Sequence, residues 1–431
     1  MIKSKPYNLT SNNTREIKDV FYLIALQGMN YVMPLVVYPY LMIVLGAEKF
    51  GYIGFSMSIT QYLMLIVDFG FNFSATKQIA IHKNNPQKLR EIFWSTLFAK
   101  VGLLMVSFIL LVIFSFGVPP FQIYRSTMFV FFTMVIGNTF SFVWYFQGLG
   151  KIRFVSMITV VSKLLILPLT FILVKSPDDL GIAASVQAGV FVLSSLISIG
   201  VLKRHNDFPS WYRPTVNQLS AEIKSSYPIF LSSVATSFYT ALFAVILGFF
   251  STPEEVGKYA AAEKIMRAFC YLIFMPVSQA FFPKISALSQ TSTPKAVKLV
   301  GKIAYLVAAL MVVVFMLLYF LSGCITSFLG NDYQGLDTLF KIMAAIPLLV
   351  ALGGIAGQLG LLAVGGEKEK KKFQYAYFIA GVVALIIILL LVPKYTSVGA
   401  SIALLVTEFI VFALMFRQWK RISRVIVSLS D

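Results

Sequence analysis

Apolar stretches long enough to cross a bilayer recur along nearly all of this 431-residue chain, separated by short polar gaps. A helix needs about 20 mainly apolar residues to span the hydrocarbon layer. Runs of that kind fall near 21–45, 50–72, 92–117, 124–147, 154–174, 180–202, 227–250, 256–282, 299–322, 337–364, 373–392 and 398–417. The pattern predicts an all-α integral membrane protein with twelve transmembrane helices. No gap is long enough for a separate soluble domain. A chain that is nearly all membrane helix most often moves something across the bilayer.

The polar gaps alternate in charge. Gaps after even-numbered spans and both termini hold most of the Lys and Arg, for example Lys77, Lys83, Lys88 and Arg90, then Lys203, Arg204 and Arg213. Gaps after odd-numbered spans hold almost none. Basic loops stay in the cytoplasm during insertion, so both termini are expected there. The longest gap divides the chain in two. The expected organisation is a cytoplasmic segment 1–20, an N-lobe 21–202, a cytoplasmic linker 203–226, a C-lobe 227–417 and a cytoplasmic tail 418–431. Both halves start on the same side, which makes them parallel six-helix repeats around a central cavity. A shift of 206 residues brings Glu48-Lys49-Phe50-Gly51 onto Glu254-Glu255-Val256-Gly257 and supports the repeat.

Composition agrees: 58% hydrophobic, 13% charged and a mean hydropathy of +0.81. The net charge of +18 sits in the basic loops, facing anionic lipid, and does not call for a nucleic-acid partner. Cys270 and Cys324 lie in apolar segments and suggest neither a disulfide framework nor a metal site. There is no phosphate-binding GxxxxGK[ST] loop, and His82 and His205 are isolated in loops. No catalytic set emerges, so the expectation is a transporter without a cofactor.

Polar side chains inside spans are costly and usually face protein or water. Gln27, Asn30, Tyr31, Pro34 and Tyr38 recur at helical spacing in span 1, as do Ser232, Ser233, Thr236, Ser237 and Thr240 in span 7. Both stripes are read as lining the cavity, although Ser and Thr also serve close helix packing. The mid-depth charges are mostly cationic: Lys100, Lys163, Lys264 and Arg267 against Glu263 and Glu408. Such a cavity favours an anionic head group, for which Arg offers a bidentate fork and Lys a point charge. Glu263 and Arg267 stand i,i+4 and can instead neutralise each other, and Lys100 can snorkel to the interface. Glu408 and Asp68 are the candidates for coupling to H⁺ or Na⁺.

Several runs resemble the Wzx-type O-antigen flippases of the multidrug/oligosaccharidyl-lipid/polysaccharide exporter superfamily. They are Gln27-Gly-Met-Asn30-Tyr-Val-Met-Pro34 through Phe50-Gly51, Asp68-Phe-Gly-Phe-Asn72, Trp144-Tyr-Phe-Gln147-Gly148, Lys163-Leu-Leu-Ile-Leu-Pro168, Ala260-Ala-Ala-Glu263-Lys264 and Thr407-Glu408. The resemblance implies two lobes in a V around a cationic cavity. It implies an undecaprenyl-diphosphate-linked oligosaccharide as substrate, flipped from the cytoplasmic to the periplasmic leaflet. A polysaccharide polymerase and a chain-length regulator are the candidate partners. On this reading Lys163, Lys264, Arg267 and Lys100 hold the diphosphate, and Gln27, Asn30, Asn138, Gln147, Ser233 and Thr236 face the glycan. Related peptidoglycan-precursor flippases carry several arginines in their first two spans, and this chain has none there.

Two other readings stay open at this point. A small organic ion antiporter of the same superfamily would share the fold. A membrane polymerase or ligase of the same sugar lipid would share the span count, but would be expected to carry a large basic outer loop.

Overall fold

The computed structural model describes residues 13–205 and 207–428, without the side chains of 13–32, 232, 235–240, 367 and 427–428. Nine stretches among them are long and apolar enough to cross a membrane. Met33–Ile81 and Lys368–Ile426 each contain two helices, which break at Gly46 (φ +73°) and Thr396 (φ +45°). With the shorter apolar segment Ala241–Phe250 the described residues contain twelve spanning helices.

In chain order these are α1 (13–45), α2 (47–68), α3 (Pro86–Gly117), α4 (Arg125–Thr139, continued after a break by Val143–Gly148), α5 (Ile152–Leu173) and α6 (Leu180–Arg204). The second half comprises α7 (Val216–Phe250), α8 (Pro253–Thr291), α9 (Thr293–Phe320), α10 (336–362), α11 (367–395) and α12 (397–428). A short helix, Phe71–Ile81, follows α2 after a break at Phe69 and Gly70.

Local chemistry explains the boundaries. Asn85 caps α3 by accepting from the Lys88 amide, with Pro86 in the first turn. Thr252 caps α8, where Pro253, Glu254 and Glu255 suit the positive helix start. The segment expected as linker, 203–226, is mostly helical. α6 runs to Arg204 and α7 begins at Val216, where Thr215 and Gln218 form a reciprocal capping box. Only 205–215 connects the halves, and hydropathy hid this because the first turns of α7 are polar. Prolines interrupt α1 (Pro34, Pro39), α5 (Pro168), α7 (Pro228), α8 (Pro276, Pro283) and α11 (Pro393). Membrane helices tolerate such breaks because neighbours re-satisfy the freed backbone.

The loops gather at two ends. At the basic end, the connection between α6 and α7 is strapped to the N-lobe. Trp94 Nε1 donates to the Ser210 carbonyl (2.9 Å), Lys151 pairs with Asp207, and Gln218 Nε2 donates to Glu91 (2.8 Å). At the charge-poor end, Tyr40 donates to the Val174 carbonyl (2.6 Å), and Glu255 accepts from Thr396 (3.0 Å) and Ser397.

The two lobes meet at the basic end, where Ser74 and Ser226 hydrogen-bond (2.6 Å) and Phe69 stacks on Phe230 (4.3 Å), and at the charge-poor end, where α2 crosses α8. A Cβ on Gly51 would lie 1.8 Å from the Pro253 carbonyl oxygen, and one on Gly257 would lie 1.8 Å from that of Ala47. The 206-residue shift converts Ala47 into Pro253 and Gly51 into Gly257, so each half makes the same contact with the other. Only glycine allows the two backbones this close. Around the crossing, Phe55 stacks on Tyr124 (3.9 Å) and meets Phe121 edge-on (5.2 Å), all three buried. Asp332 closes over Gly46, where a Cβ would be 2.4 Å from its carboxylate. This end is sealed.

Candidate functional site

Two cavities lie beside the seal. The inter-lobe cavity, about 340 Å³, is walled by α1 and α2 from one lobe and by α7 and α8 from the other. Glu263, Lys264, Arg267 and Tyr271 supply its C-lobe wall. Seven residues separate Lys264 from Gly257, a rise of about 10 Å along α8, so the cations sit below the seal. The N-lobe cavity, about 450 Å³, lies among α1, α2, α4, α5 and α6. Lys163, Asn138, Gln61 and Gln187 are among its polar lining. Both cavities share Pro34, Tyr38 and Gln61, which form a partition between them.

The cations expected to act together are in fact divided. Lys264 packs its ammonium over the Tyr38 ring, 4.6 Å from the centroid. Cation–π contacts of this kind hold a charge without cancelling it. Arg267 donates from Nε to Glu263 (2.9 Å) and from Nη1 to Tyr271 (3.4 Å), which is the i,i+4 pair its spacing allowed. Its Nη2 is buried and has no hydrogen-bond partner among the described residues. Lys163 lines the other cavity, across the partition.

Lys100 and Asp68 require a correction of the sequence reading. Lys100 is 1% exposed and donates to Asp68 (3.0 Å), which also accepts from Asn138 (2.9 Å). Lys100 neither snorkels to the interface nor lines either cavity, and Asp68 is held between two donors. A buried charge is kept in apolar surroundings only when paired, so these residues tie α2, α3 and α4 together. Asn138 does line the N-lobe cavity, with its amide nitrogen committed to Asp68. Gln147 is exposed at the basic end of α4, outside both cavities.

Gln27, Asn30 and Thr236 lie outside the residues whose side chains are described. Ser233 is partly buried in α7. Glu408 is 4% exposed in α12 and lies within electrostatic reach of Arg267 and Glu263. Sequence reasoning did not single out Gln61 or Gln187. An amide in mid-span was the available signal.

The basic end has its own titrating pair. Hydrogen bonding by Lys88, and then by Gln218, holds the Glu91 carboxyl below the usual carboxylate range. Burial, reinforced by the nearby Glu91 charge, pushes Glu222 upward on the first turns of α7.

Comparison with known proteins follows the same lines. The family profile described as "Polysaccharide biosynthesis protein" matches residues 17–289. A protein of Escherichia coli (strain K12) named "Putative O-antigen transporter" is 30% identical over 409 residues, covering 94% of this chain and 97% of that protein. Among solved structures, an inward-facing multidrug resistance MATE family transporter of the MOP superfamily superposes with a TM-score of 0.72 at 11% identity, covering 96% of this chain and 100% of that one. The lipid II flippase MurJ, in an inward closed conformation, gives 0.71 at 15% identity, covering 94% and 87%. At these identities the likeness is one of fold.

Proposed function

Since this chain belongs to the polysaccharide biosynthesis protein family and is a multi-pass membrane transporter, we propose that it flips a lipid-linked oligosaccharide by alternating access. The substrate class is an undecaprenyl-diphosphate-linked repeat unit of the O-antigen kind. It enters from the leaflet at the basic end, which is the cytoplasmic side with both termini, and leaves from the opposite leaflet.

The observation that carries this reading is the ammonium of Lys264 beside the Arg267 guanidinium, in a cavity between the lobes just below a closed seal. A diphosphate needs cationic donors held out of bulk water, where each charge-assisted hydrogen bond is strong. Lys264 offers such a donor with no carboxylate of its own. Arg267, steadied by Glu263, adds its charge to the same wall. Lys163 adds positive potential from across the partition. The lipid tail stays in the bilayer. Rocking of the lobes parts Gly51 from Gly257 and exposes the head group on the other side. Glu408, buried close to Arg267, is the group through which an H⁺ or Na⁺ gradient would bias the two states. Consumption of the product by a polysaccharide polymerase, with its chain-length regulator, would pull in the same direction.

The net positive cavity linings, Lys163, Lys264 and Arg267 against Glu263, favour this reading over the antiporter of cationic drugs, which requires an acidic cavity. The test is complementation of a host lacking its own surface-polysaccharide flippase, at matched membrane levels. Wild type restores polymer, Lys264→Ala loses it and Lys264→Arg retains part. Restoration by Lys264→Ala would remove the phosphate site, and failure of well-expressed wild type across several repeat units would remove the flippase.

A further inference from the structure

The N-lobe cavity differs in chemistry from the inter-lobe cavity. Its polar lining comes from four helices: Thr60 and Gln61 on α2, Asn138 and Ser141 on α4, Thr159 and Lys163 on α5, Gln187 and Ser194 on α6. Three of the hydroxyls already donate to their own helix: Thr60 to Ser56 (2.8 Å), Ser141 to Asn138 (3.0 Å) and Thr159 to Val155 (3.0 Å). Gln61 and Gln187 are different. Neither side chain makes a hydrogen bond with any described residue, and both are open to the cavity, Gln61 exposed and Gln187 half-buried. An amide carries both donors and acceptors, so it matches a hydroxyl or N-acyl group and serves a phosphate poorly. Tyr38 and Phe191 add aromatic surface. Met33, Met57, Met64 and Met134 line the remainder with side chains that repack easily. At about 450 Å³ the space falls within the range of a small-ligand site.

Position completes the argument. The wall between the cavities is Pro34, Tyr38 and Gln61, so the group covalently attached to a diphosphate at Lys264 lies next to the N-lobe cavity. We propose that the N-lobe cavity is a sugar subsite, in which Gln61 and Gln187 hydrogen-bond hydroxyl or N-acyl groups of the sugar nearest the diphosphate, with Lys163 reading acidic substituents. The two cavities thus divide the head group, with phosphates on the C-lobe wall and sugar in the N-lobe. This rests on the flippase reading above and adds the residues that would discriminate between sugars.

The experiment measures binding to purified protein in nanodiscs. The probes are a short-chain polyprenyl diphosphate and the same lipid carrying one N-acetylhexosamine. Gln187→Leu, alone and with Gln61→Leu, should weaken the sugar-bearing probe about tenfold, the loss of roughly one hydrogen bond's worth of affinity to a polar site. Gln187 lines the N-lobe cavity alone, so Gln187→Leu should leave the sugar-free probe unchanged. Lys264→Gln should weaken both probes alike. Since neither amide bonds to a described residue, the variants should keep the wild-type Tm, and Gln187→Asn should recover part of the discrimination. Equal binding of both probes to wild type, or equal loss in Gln187→Leu, overturns the sugar subsite and leaves the flippase intact. Failure of wild type to bind either probe overturns the flippase reading and the subsite with it.

Discussion

Replacing Gly257 by alanine tests the seal directly. The new Cβ would sit 1.8 Å from the Ala47 oxygen, 2.8 Å from its carbonyl carbon and 3.0 Å from the Gly51 nitrogen. All three are backbone atoms, so no rotamer change relieves the clash. Carbon–oxygen contacts of this type settle at about 3.3–3.6 Å. The helices must therefore part by about 1.5 Å at the crossing, which also strips packing from Phe55 and Ala260. Overpacking of this kind costs about 1–3 kcal/mol. The cost falls only on the sealed state, so the equilibrium shifts by about 5- to 150-fold toward the state with the charge-poor end open. Alanine is also the better helix former by about 0.5–1 kcal/mol, so a melting curve would hide the effect. Spin labels at Gln122 and Lys341, exposed at that end on different lobes, report it instead in a Cys324→Ser background. Gly257→Ala should add a longer-distance population in nanodiscs, and Gly51→Ala should add the same one. Combining the two should give less than the sum, because one separation relieves both clashes. Unchanged distance distributions in both well-folded variants would refute the reasoning.

Other expectations follow from the charges. Asp68→Asn strands the Lys100 ammonium, 1% exposed, and should destabilise the protein by about 3 kcal/mol in detergent melts; the double variant Asp68→Asn, Lys100→Met should regain most of that. Glu222, with its folded-state pKa raised by burial, binds more protons folded than unfolded between the ordinary carboxylate range and its raised value, so its contribution to stability falls as pH rises through that window. Glu222→Gln should therefore raise Tm at neutral pH and flatten the profile over that window. Glu91, held low by Lys88 and Gln218, works in the opposite direction, and its contribution is lost only as pH falls below the usual range. Glu408→Gln should abolish any dependence of flipping on an imposed H⁺ or Na⁺ gradient in proteoliposomes, and a retained dependence would assign the coupling elsewhere.

The helices and their alternation were legible because hydropathy and loop charge report directly on the bilayer. The i,i+4 pair of Glu263 and Arg267 was legible too, because helical spacing brings it together. What escaped were contacts that depend on helix placement. Asp68 and Lys100 lie 32 residues apart and looked like two independent charges. Lys163 and Lys264 shared a sign and a depth, yet the partition at Tyr38 separates them. The start of α7 was missed because its first turns are polar, although the Thr215 and Gln218 capping box was present in the sequence.

The crossing of α2 and α8 also bears on symmetry. Each half offers the other the same patch, so the seal has the geometry of a twofold interface between identical subunits, carried within one polypeptide. In such a subunit pair, one substitution would have appeared on both sides of the axis at once. A single chain is free of that constraint. One half can carry the Glu263, Lys264 and Arg267 cluster and the other an amide-lined chamber, while the glycine crossing stays symmetric.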